Sequence, residues 1–311
     1  MPPIRILAFL FFIPICFCLM STWPIVFGQQ AVPNVSSASR IPAAEQAALH
    51  PGWLPPDVDD QVPAVDPESP CNVDVVVHEA GRKIQELVDN LQRFTAIESL
   101  LHENIDKTGK VTWTEHRKYE YVVSIEEYQP KSYGVEEFLR SNSGPIDNPG
   151  GTATTGLPAL ILIFHPFYSG DFAMSCEGLG TLNGNKAWQV YFRQKAEKPN
   201  RIRSYRIGNG RGHPVDLKGR AWFLADSYQI AGLQTDLIRP IPEIELVADH
   251  TRIEYAPIHF DTRGLEMWLP RSAEVYSERK GKRIHRRFSF SDYFLFAVDD
   301  KQKISSPESS P

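Results

Sequence analysis

The sequence predicts an α+β protein, mainly antiparallel β, in which a long amphipathic helix leads into one curved sheet that forms a half-open β-barrel. A helix-period segment stands early in the chain, and most later segments alternate apolar and polar residues. Turn residues such as Asn183-Gly184 separate these segments at short intervals. We count about nine to eleven strands, and so many short-linked strands favour a meander sheet that curls toward a barrel.

Residues 1–28 have the pattern of a signal peptide. Arg5 is their only charged residue, and it precedes the apolar run 6–20. Small or modest side chains near Gly28 suit cleavage after that residue, although the apolar stretch is also close to the about 20 residues of a membrane anchor. We expect an exported protein, periplasmic or extracellular, that is either released or held by an uncleaved N-terminal anchor.

The overall charge argues against nucleic-acid binding. The chain has 311 residues and a formal net charge of −5, so no excess positive field is present to hold a phosphate backbone. Hydrophobic residues make up 42% and charged residues 23%, which is ordinary for a globular protein with a core. We therefore expect no nucleic acid among the partners.

Removal of the leader leaves two cysteines, Cys71 and Cys176. In an oxidising compartment these thiols allow one intramolecular bridge. Two separate buried thiols, acting as small hydrophobic side chains, are the alternative. We predict the disulfide.

Residues 29–70 predict a disordered tether. They are rich in Pro, Ala, Ser and Asp, and no helix or strand period is present. Proline at this density interrupts both helices and ladders, so we expect a semi-extended segment. The folded domain is predicted to occupy residues 71–300, followed by a polar tail at 301–311.

An amphipathic helix of about five turns is predicted between Asn72 and Phe94. Asn72 or Asp74 is expected to cap its N-terminus. The apolar side chains that recur at helical spacing are Val76, Val77, Ala80, Ile84, Leu87, Val88 and Leu91. This apolar stripe must cover something, and the strands that follow indicate a sheet.

The first hairpin is predicted from 94–106 and 111–125, joined by the turn residues Asp106-Lys107-Thr108-Gly109. Later strands are separated by similar turns. They are predicted at 172–178, 187–194, 219–224, 228–237, 252–258, 265–269, 272–279 and 284–298.

A short apolar helix is predicted near the barrel mouth. A Gly/Pro/Thr-rich loop, 141–156, leads into the run 157–164, which Pro158 and Pro166 bracket. Two interpretations are open: the run is a lid or plug for the barrel, or it is a helix buried in the core. In the first case Leu160, Ile161, Ile163 and Phe164 contact a ligand.

Aromatic residues in the predicted strands offer a lining for a cavity. Trp188, Phe192 and Trp222 are the candidates, and core packing is the alternative for each. We found no Gly-x-Ser-x-Gly elbow, no zincin helix and no phosphate-loop spacing. We therefore predict no catalytic residue, no metal and no cofactor.

The densest charged feature is a basic hairpin tip, formed by Arg279, Lys280, Lys282 and Arg283 around Gly281. Such a tip could contact an anionic membrane surface or an acidic partner, at about 1 kcal/mol per basic residue near anionic lipid. The alternative is a solvated hairpin whose charge nearby glutamates balance.

The order of these features resembles the superfamily of LolA- and LolB-like exported lipoprotein carriers. The features that carry it are the helix 76–91, the hairpin 94–125 and the stretch 219–226 followed by 228–233. The resemblance is architectural and covers about residues 72–300. It implies a signal peptide, a leading helix and an unclosed antiparallel barrel with short helices near its mouth.

Our first functional hypothesis is a non-enzymatic binding protein whose half-barrel holds a lipid acyl chain or a lipidated partner. The second is an envelope interaction or sensor module with a filled barrel and an outer contact surface. A hydrolase with an unrecognised site is a third, which would require acidic and histidine side chains in one cleft.

Overall fold

The computed structural model describes residues 53–91, 93–130, 132–140, 156–198, 200–206, 211–260 and 264–295. The predicted signal peptide, the first part of the predicted tether and the predicted polar tail lie outside the described residues.

Thirteen strands are present in the described parts of the chain. They are β1 (Val65–Asp66), β2 (Arg93–Ile105), β3 (Val111–Gln129), β4 (Ser132–Arg140), β5 (Phe172–Leu182), β6 (Asn185–Gln194), β7 (Ser204–Arg206), β8 (Gly212–Pro214), β9 (Leu217–Leu224), β10 (Ile230–Leu237), β11 (Leu246–Phe260), β12 (Leu265–Arg279) and β13 (Lys282–Leu295). Eleven form one sheet in the order β1-β5-β6-β9-β10-β11-β12-β13-β2-β3-β4, and β7 pairs with β8. The predicted class, a mainly antiparallel, curved and unclosed sheet, is confirmed.

The leading helix, α1, spans Val73–Asn90. The Asn72 side chain accepts hydrogen bonds from the backbone N–H groups of Asp74 and Val75, which have no partner inside the helix. Its buried residues are Val76, Ala80, Gly81, Ile84 and Val88. The predicted helix is therefore confirmed, with Asn72 as its N-cap.

Replacing Asn72 by alanine is expected to lower the free energy of unfolding by about 1 kcal/mol, because two N–H groups at the helix start lose their acceptor. Urea denaturation followed by circular dichroism measures the change. Asn72→Asp retains the acceptor and should restore most of the stability. An alanine variant as stable as the wild type would contradict the role of this cap.

The sheet has two chemically different faces. On the inner face, residues such as Phe94, Ala96 and Leu100 of β2 join the same buried cluster as the apolar side of α1. Their neighbours along the strand alternate to the outer face, as the pleat requires. The core thus lies between the inner face and the helix.

Two hairpin turns require left-handed backbone. Asn183 and Gly184 have φ of 50° and 82°, and Lys280 and Gly281 have φ of 52° and 67°. Positive φ at both central residues matches the type I′ turn, whose twist suits paired strands. The predicted turn at Asn183-Gly184 and the predicted tip at Gly281 are confirmed.

Strand β4, at one end of the sheet order, was not predicted. Tyr133, Val135 and Leu139 pack against the core. Glu137 shares their side of the strand and accepts a hydrogen bond of 2.8 Å from the hydroxyl of Tyr121. A carboxylate on the core side interrupts the period-2 pattern that identifies a strand.

The predicted disulfide between Cys71 and Cys176 is present. Its Cα atoms are 5.8 Å apart, and 105 residues separate them in sequence. Cys71 directly precedes the N-cap of α1, whereas Cys176 lies in β5. The bridge therefore ties the start of the helix to the sheet. Disulfides of this kind persist in oxidising compartments.

Residues 53–66, here called the strap, pack against the sheet. At one end the guanidinium carbon of Arg283 lies 5.0 Å from the Trp53 ring centroid. At the other end Val65 pairs with Gly180 of β5 as strand β1. For residues 53–66 this corrects our expectation of a disordered tether before a domain that begins at residue 71, because these residues pair and pack with the sheet.

Polar contacts hold the middle of the strap. The ammonium group of Lys218 lies 2.6 Å from a carboxylate oxygen of Asp57 and 2.5 Å from one of Asp59. The N–H of Val58 donates to Asp236 at 3.0 Å, and the Val58 side chain is only 1% exposed. Lys218 and Asp236 alternate with core residues, which places the strap on the outer face.

Within the described residues, α1 and the shorter helices lack the length and apolar character that a bilayer-crossing helix needs.

Candidate ligand-binding interior

A 3₁₀-helix, Pro158–Phe164, lies inside the half-barrel. All seven of its residues are buried, and Leu160, Ile163 and Phe164 are fully so. The Phe164 ring meets Phe192 and Phe223 edge to face, at centroid distances of 5.4 and 4.9 Å. The short apolar helix predicted from the sequence is confirmed, and it fills the space beside β6 and β9.

Helix α1 and the 3₁₀-helix approach each other closely at Gly81. A Cβ at this position would lie 3.0 Å from the backbone oxygen of Phe164 and 3.5 Å from the ring of Pro166. A larger side chain would therefore push the two elements apart. Glycine is the residue that allows this contact.

The four residues predicted as a plug, Leu160, Ile161, Ile163 and Phe164, belong to one buried cluster with α1 and the sheet. The 3₁₀-helix has no side-chain cap, and every side chain in it is apolar. Its side chains are therefore held by packing alone, with no ion pair or side-chain hydrogen bond to break if it leaves.

The three aromatic residues predicted to line a cavity do not share one face. Phe192 and Trp188 lie on the inner face of β6, where Trp188 pairs with Phe223. Trp222 pairs with Gln189, and its indole N–H donates to the Gln189 side chain at 3.1 Å. Trp222 therefore lies on the outer face, beside the strap, and cannot line the same cavity as Phe192. This position corrects our expectation.

The opposite wall of the interior is polar. Arg286, His102 and Glu115 are paired in register on β13, β2 and β3, and all three are at most 3% exposed. Arg286 donates from Nε to Nδ1 of His102 at 3.0 Å, and Nε2 of His102 lies 3.1 Å from the side-chain oxygen of Asn104. A neutral His102 with its proton on Nε2 satisfies both contacts.

A second buried polar group lies beside this wall. The carboxylate of Asp249 on β11 is 2.8 Å from the guanidinium of Arg203 and accepts a 3.0 Å hydrogen bond from the hydroxyl of Tyr205. Arg203 and Tyr205 belong to the segment around the β7–β8 pair, so this contact fastens that segment to the sheet.

Several donors along this wall have no hydrogen-bond partner among the described residues. They are Nη1 of Arg203 and the hydroxyl groups of Thr251 and Tyr255, and each atom is buried. Buried donors normally find an acceptor. An acceptor-rich guest, or water, would satisfy them.

Glu98 is the most perturbed carboxyl group of the interior. It lies between Phe290 and Tyr119 in register and is 4% exposed. Burial raises the pKa of its carboxyl to about 8, and the negative charge of Glu137 adds to the rise, whereas Arg286 opposes it. Burial likewise lowers the pKa of His102 to about 4, so this imidazole is neutral near pH 7.

Glu98→Gln is expected to stabilise the protein more at about pH 8 than at about pH 5. The carboxyl ionises near 4.5 when unfolded and near 8 when folded. Between these values the unfolded chain loses the proton first, so wild-type stability falls as pH rises, by at most about 1.4 kcal/mol per pH unit. The glutamine side chain does not titrate, so the stability of the variant lacks this pH dependence.

Denaturant titrations of both proteins across this pH range measure the difference in their free energies of unfolding. Glu197→Gln, at an exposed position, is the matched control for loss of one carboxylate. A difference that stays constant with pH would contradict the raised pKa of Glu98.

Sequence reasoning missed this polar wall, although a signal was present. Glu98 and His102 stand at period-2 spacing with Phe94, Ala96 and Leu100, which are core residues. Polar residues in phase with an apolar set mark buried polar positions. Arg286 occupies such a position on β13, where it alternates in phase with the core residues Phe288 and Phe290.

The basic hairpin tip, Arg279–Arg283, divides into two kinds of residue. Arg279 donates to the backbone oxygen of Ile244, and Arg283 pairs with Glu278 at 2.9 Å as well as facing Trp53. Lys280 and Lys282 are exposed. The arginines thus fasten the tip, and the two lysines project from it.

Among the described residues, no group of three or more His, Cys, Asp and Glu side chains is arranged to hold a metal ion.

No protein-family model matches this sequence, and no curated protein matches it. Likenesses are found among solved structures. A DUF1329 family protein from Desulfovibrio piger is 12% identical, with a TM-score of 0.39 over 73% of this chain and 94% of that one. A LolA superfamily protein from Nitrosomonas europaea is 12% identical, with a TM-score of 0.36 over 75% and 97%.

A third solved structure is an outer membrane lipoprotein-sorting protein domain from Vibrio parahaemolyticus. It is 9% identical, with a TM-score of 0.39 over 72% of this chain and 95% of that one. The superfamily of the Nitrosomonas protein is the one that the sequence resembles. At such scores, the ligand and activity of this chain have to be argued from its own residues.

Proposed function

We propose that this protein is an exported, non-enzymatic binding protein that holds an acyl chain, of a lipid or a lipidated partner, inside its half-barrel. The observation that carries the proposal is the 3₁₀-helix Pro158–Phe164, an entirely apolar segment buried within an unclosed sheet. In this proposal the helix occupies the site when no guest is bound.

If an acyl chain replaces the 3₁₀-helix, the inner side chains of β6 and β9 keep apolar contacts. Phe192 and Phe223 would contact methylene groups in place of the Phe164 ring. Burial of apolar surface contributes about 25 cal/mol per Å², whichever apolar group provides it. Since the helix is held by side-chain packing alone, its departure leaves no buried charge unpaired.

The mixed chemistry of the interior suits an amphiphile. Apolar side chains cover β6 and β9, whereas Arg286, His102 and Glu98 line the wall on β13 and β2. Ligand sites typically combine a mostly apolar lining with a few placed polar groups. The chain of a guest would lie along the first wall and its head group toward the second.

Mass spectrometry of an organic extract tests the proposal directly. Lipid is expected in the extract of the purified protein, and a fluorescent fatty acid is expected to bind and to be displaced by unlabelled lipid. The variant Lys280→Gln/Lys282→Gln should bind this probe normally, because its substitutions lie outside the interior. An extract free of lipid, together with no binding of the probe, would contradict the proposal.

A second candidate function is an envelope interaction or sensor module with a filled barrel. The exposed Lys280 and Lys282 favour it, because Arg279 and Arg283 hold the tip in place. Neutralising the two lysines should then abolish binding to anionic vesicles or to an acidic protein. Unchanged binding, together with fatty-acid uptake, would favour the carrier function instead.

A further inference from the structure

The outer face carries a pocket that the proposed function does not use. Three neighbouring strands line it in register: Ser289 pairs with Ser99, and Ser99 with Lys118, while Arg287 pairs with Leu101, and Leu101 with His116. The pocket has a volume of about 410 Å³ and opens to solvent on one side. Small-molecule sites commonly have volumes of about 300–1,000 Å³.

The pocket is lined by cationic side chains although the protein is acidic. No Asp or Glu is among the described residues that line it, whereas Arg287 and Lys118 stand on its two flanking strands. The formal net charge of the whole chain is −5. Strands lie about 4.8 Å apart, so two long side chains separated by one intervening strand can converge above Leu101.

Arg287 is held in place by an ion pair and is still partly open to the pocket. Its Nη2 lies 3.3 Å from a carboxylate oxygen of Glu103, which is fully buried. The side chain of Arg287 is 26% exposed and lines the pocket. The exposed part of the guanidinium is therefore accessible to a guest.

Two acids, Glu103 and Glu274, lie beside the pocket and close to His285. Nδ1 of His285 lies 2.7 Å from Glu103, and Nε2 lies 3.4 Å from Glu274. The ring of Tyr276 stacks on the same histidine at 4.0 Å. Glu103 thus contacts both His285 and Arg287, whereas Glu274 pairs in register with Arg287 and accepts a hydrogen bond from the hydroxyl of Tyr276 at 3.1 Å.

We propose that this outer pocket binds a phosphoryl group, either of a soluble phosphate ester or of a phospholipid head group. A phosphoryl group carries several acceptor oxygens and up to two negative charges. Arg287 and Lys118 would neutralise the charge, and the hydroxyl groups of Ser99 and Ser289 would donate to the remaining oxygens. The volume leaves room for the group esterified to the phosphate, against Leu101.

Lys118 offers the cleanest test, because it is exposed and its loss should not unfold the sheet. Calorimetric titration of the full chain with glycerol phosphate is expected to show binding that Lys118→Gln weakens about tenfold or more, since a charge-assisted contact is lost. Lys186→Gln, an equal charge change at an exposed position of β6, is the matched control and should bind as the wild type does.

Arg287→Lys tests the geometry separately from the charge. It keeps a cation beside Glu103 but replaces the planar, multi-donor guanidinium with a single ammonium group, so we expect glycerol phosphate to bind about tenfold more weakly. Equal affinity of the lysine variant and the wild type would contradict the assignment of Arg287.

Vesicles identify the source of the phosphoryl group. Binding to vesicles of phosphatidylglycerol with phosphatidylcholine that Lys118→Gln weakens, with weak binding of glycerol phosphate, supports a head group. Tight binding of glycerol phosphate without vesicle binding supports a soluble ester. The proposal is overturned if neither probe binds, or if Lys186→Gln weakens binding as much as Lys118→Gln. Fatty-acid uptake by the interior is measured independently, so either site can fail alone.

Discussion

Replacing Cys71 and Cys176 together by serine is expected to lower the free energy of unfolding by about 4 kcal/mol. The bridge spans a sequence separation of 105 residues. In the chain-entropy model a closed loop of about 100 residues contributes about 4.7 kcal/mol, because the cross-link restricts the unfolded chain.

Denaturant unfolding under oxidising conditions measures this loss. Cys176→Ser alone is the control, since it breaks the same bond and should show a similar deficit. Reduction of the wild type should remove most of the difference between the proteins. A double variant that unfolds at the wild-type denaturant concentration would show that α1 and β5 hold together without the bridge.

The second large effect is expected for Phe164→Ala. The ring is fully buried, and it packs edge to face on Phe192 and Phe223. Truncation of a buried phenylalanine to alanine typically costs about 3–5 kcal/mol, because burial is lost and a cavity remains. We expect a loss of this size in urea denaturation.

The same variant distinguishes a displaceable plug from a permanent core helix. If a guest replaces the 3₁₀-helix, the lost contacts destabilise only the empty state. The affinity for a fluorescent fatty acid should then rise about tenfold or more, as each 1.4 kcal/mol corresponds to tenfold. Leu246→Ala is the control, because Leu246 is 1% exposed but lies outside the large core cluster.

The control should lower stability without raising affinity. Unchanged or weaker fatty-acid binding by Phe164→Ala would contradict displacement of the helix. It would then favour the second candidate function, in which the barrel interior stays filled.

Elements whose residues show a clear helical or strand periodicity, or a turn signature, were predictable from the sequence. The apolar stripe of α1, the hairpin β2–β3 and the turn at Asn183-Gly184 all follow from neighbouring residues, and the structure confirms each of them. Trp222 also carried a local signal, since it alternates in phase with Lys218 and Arg220 on the outer face. We nevertheless predicted that it lines the cavity, because it is aromatic.

The candidate sites depend on contacts between distant residues. Arg286 and His102 are 184 residues apart in sequence, and their hydrogen bond exists only because β13 pairs with β2. The outer pocket needs the same pairing together with that of β2 and β3. The periodicity of a short segment carries no information about the order of strands in a sheet.

The amino-acid pattern alone determined that a leading helix covers an antiparallel sheet, since helix period, strand alternation and turn chemistry act over a few residues. The tertiary structure decided which residues meet. The register of β13 and β2 places Arg286 beside His102, and the pleat of β9 places Trp222 on the outer face. Polar contacts with Lys218 hold the strap against the sheet. Interactions between distant segments depend on the whole folded chain, so these features could not be read from short stretches of sequence.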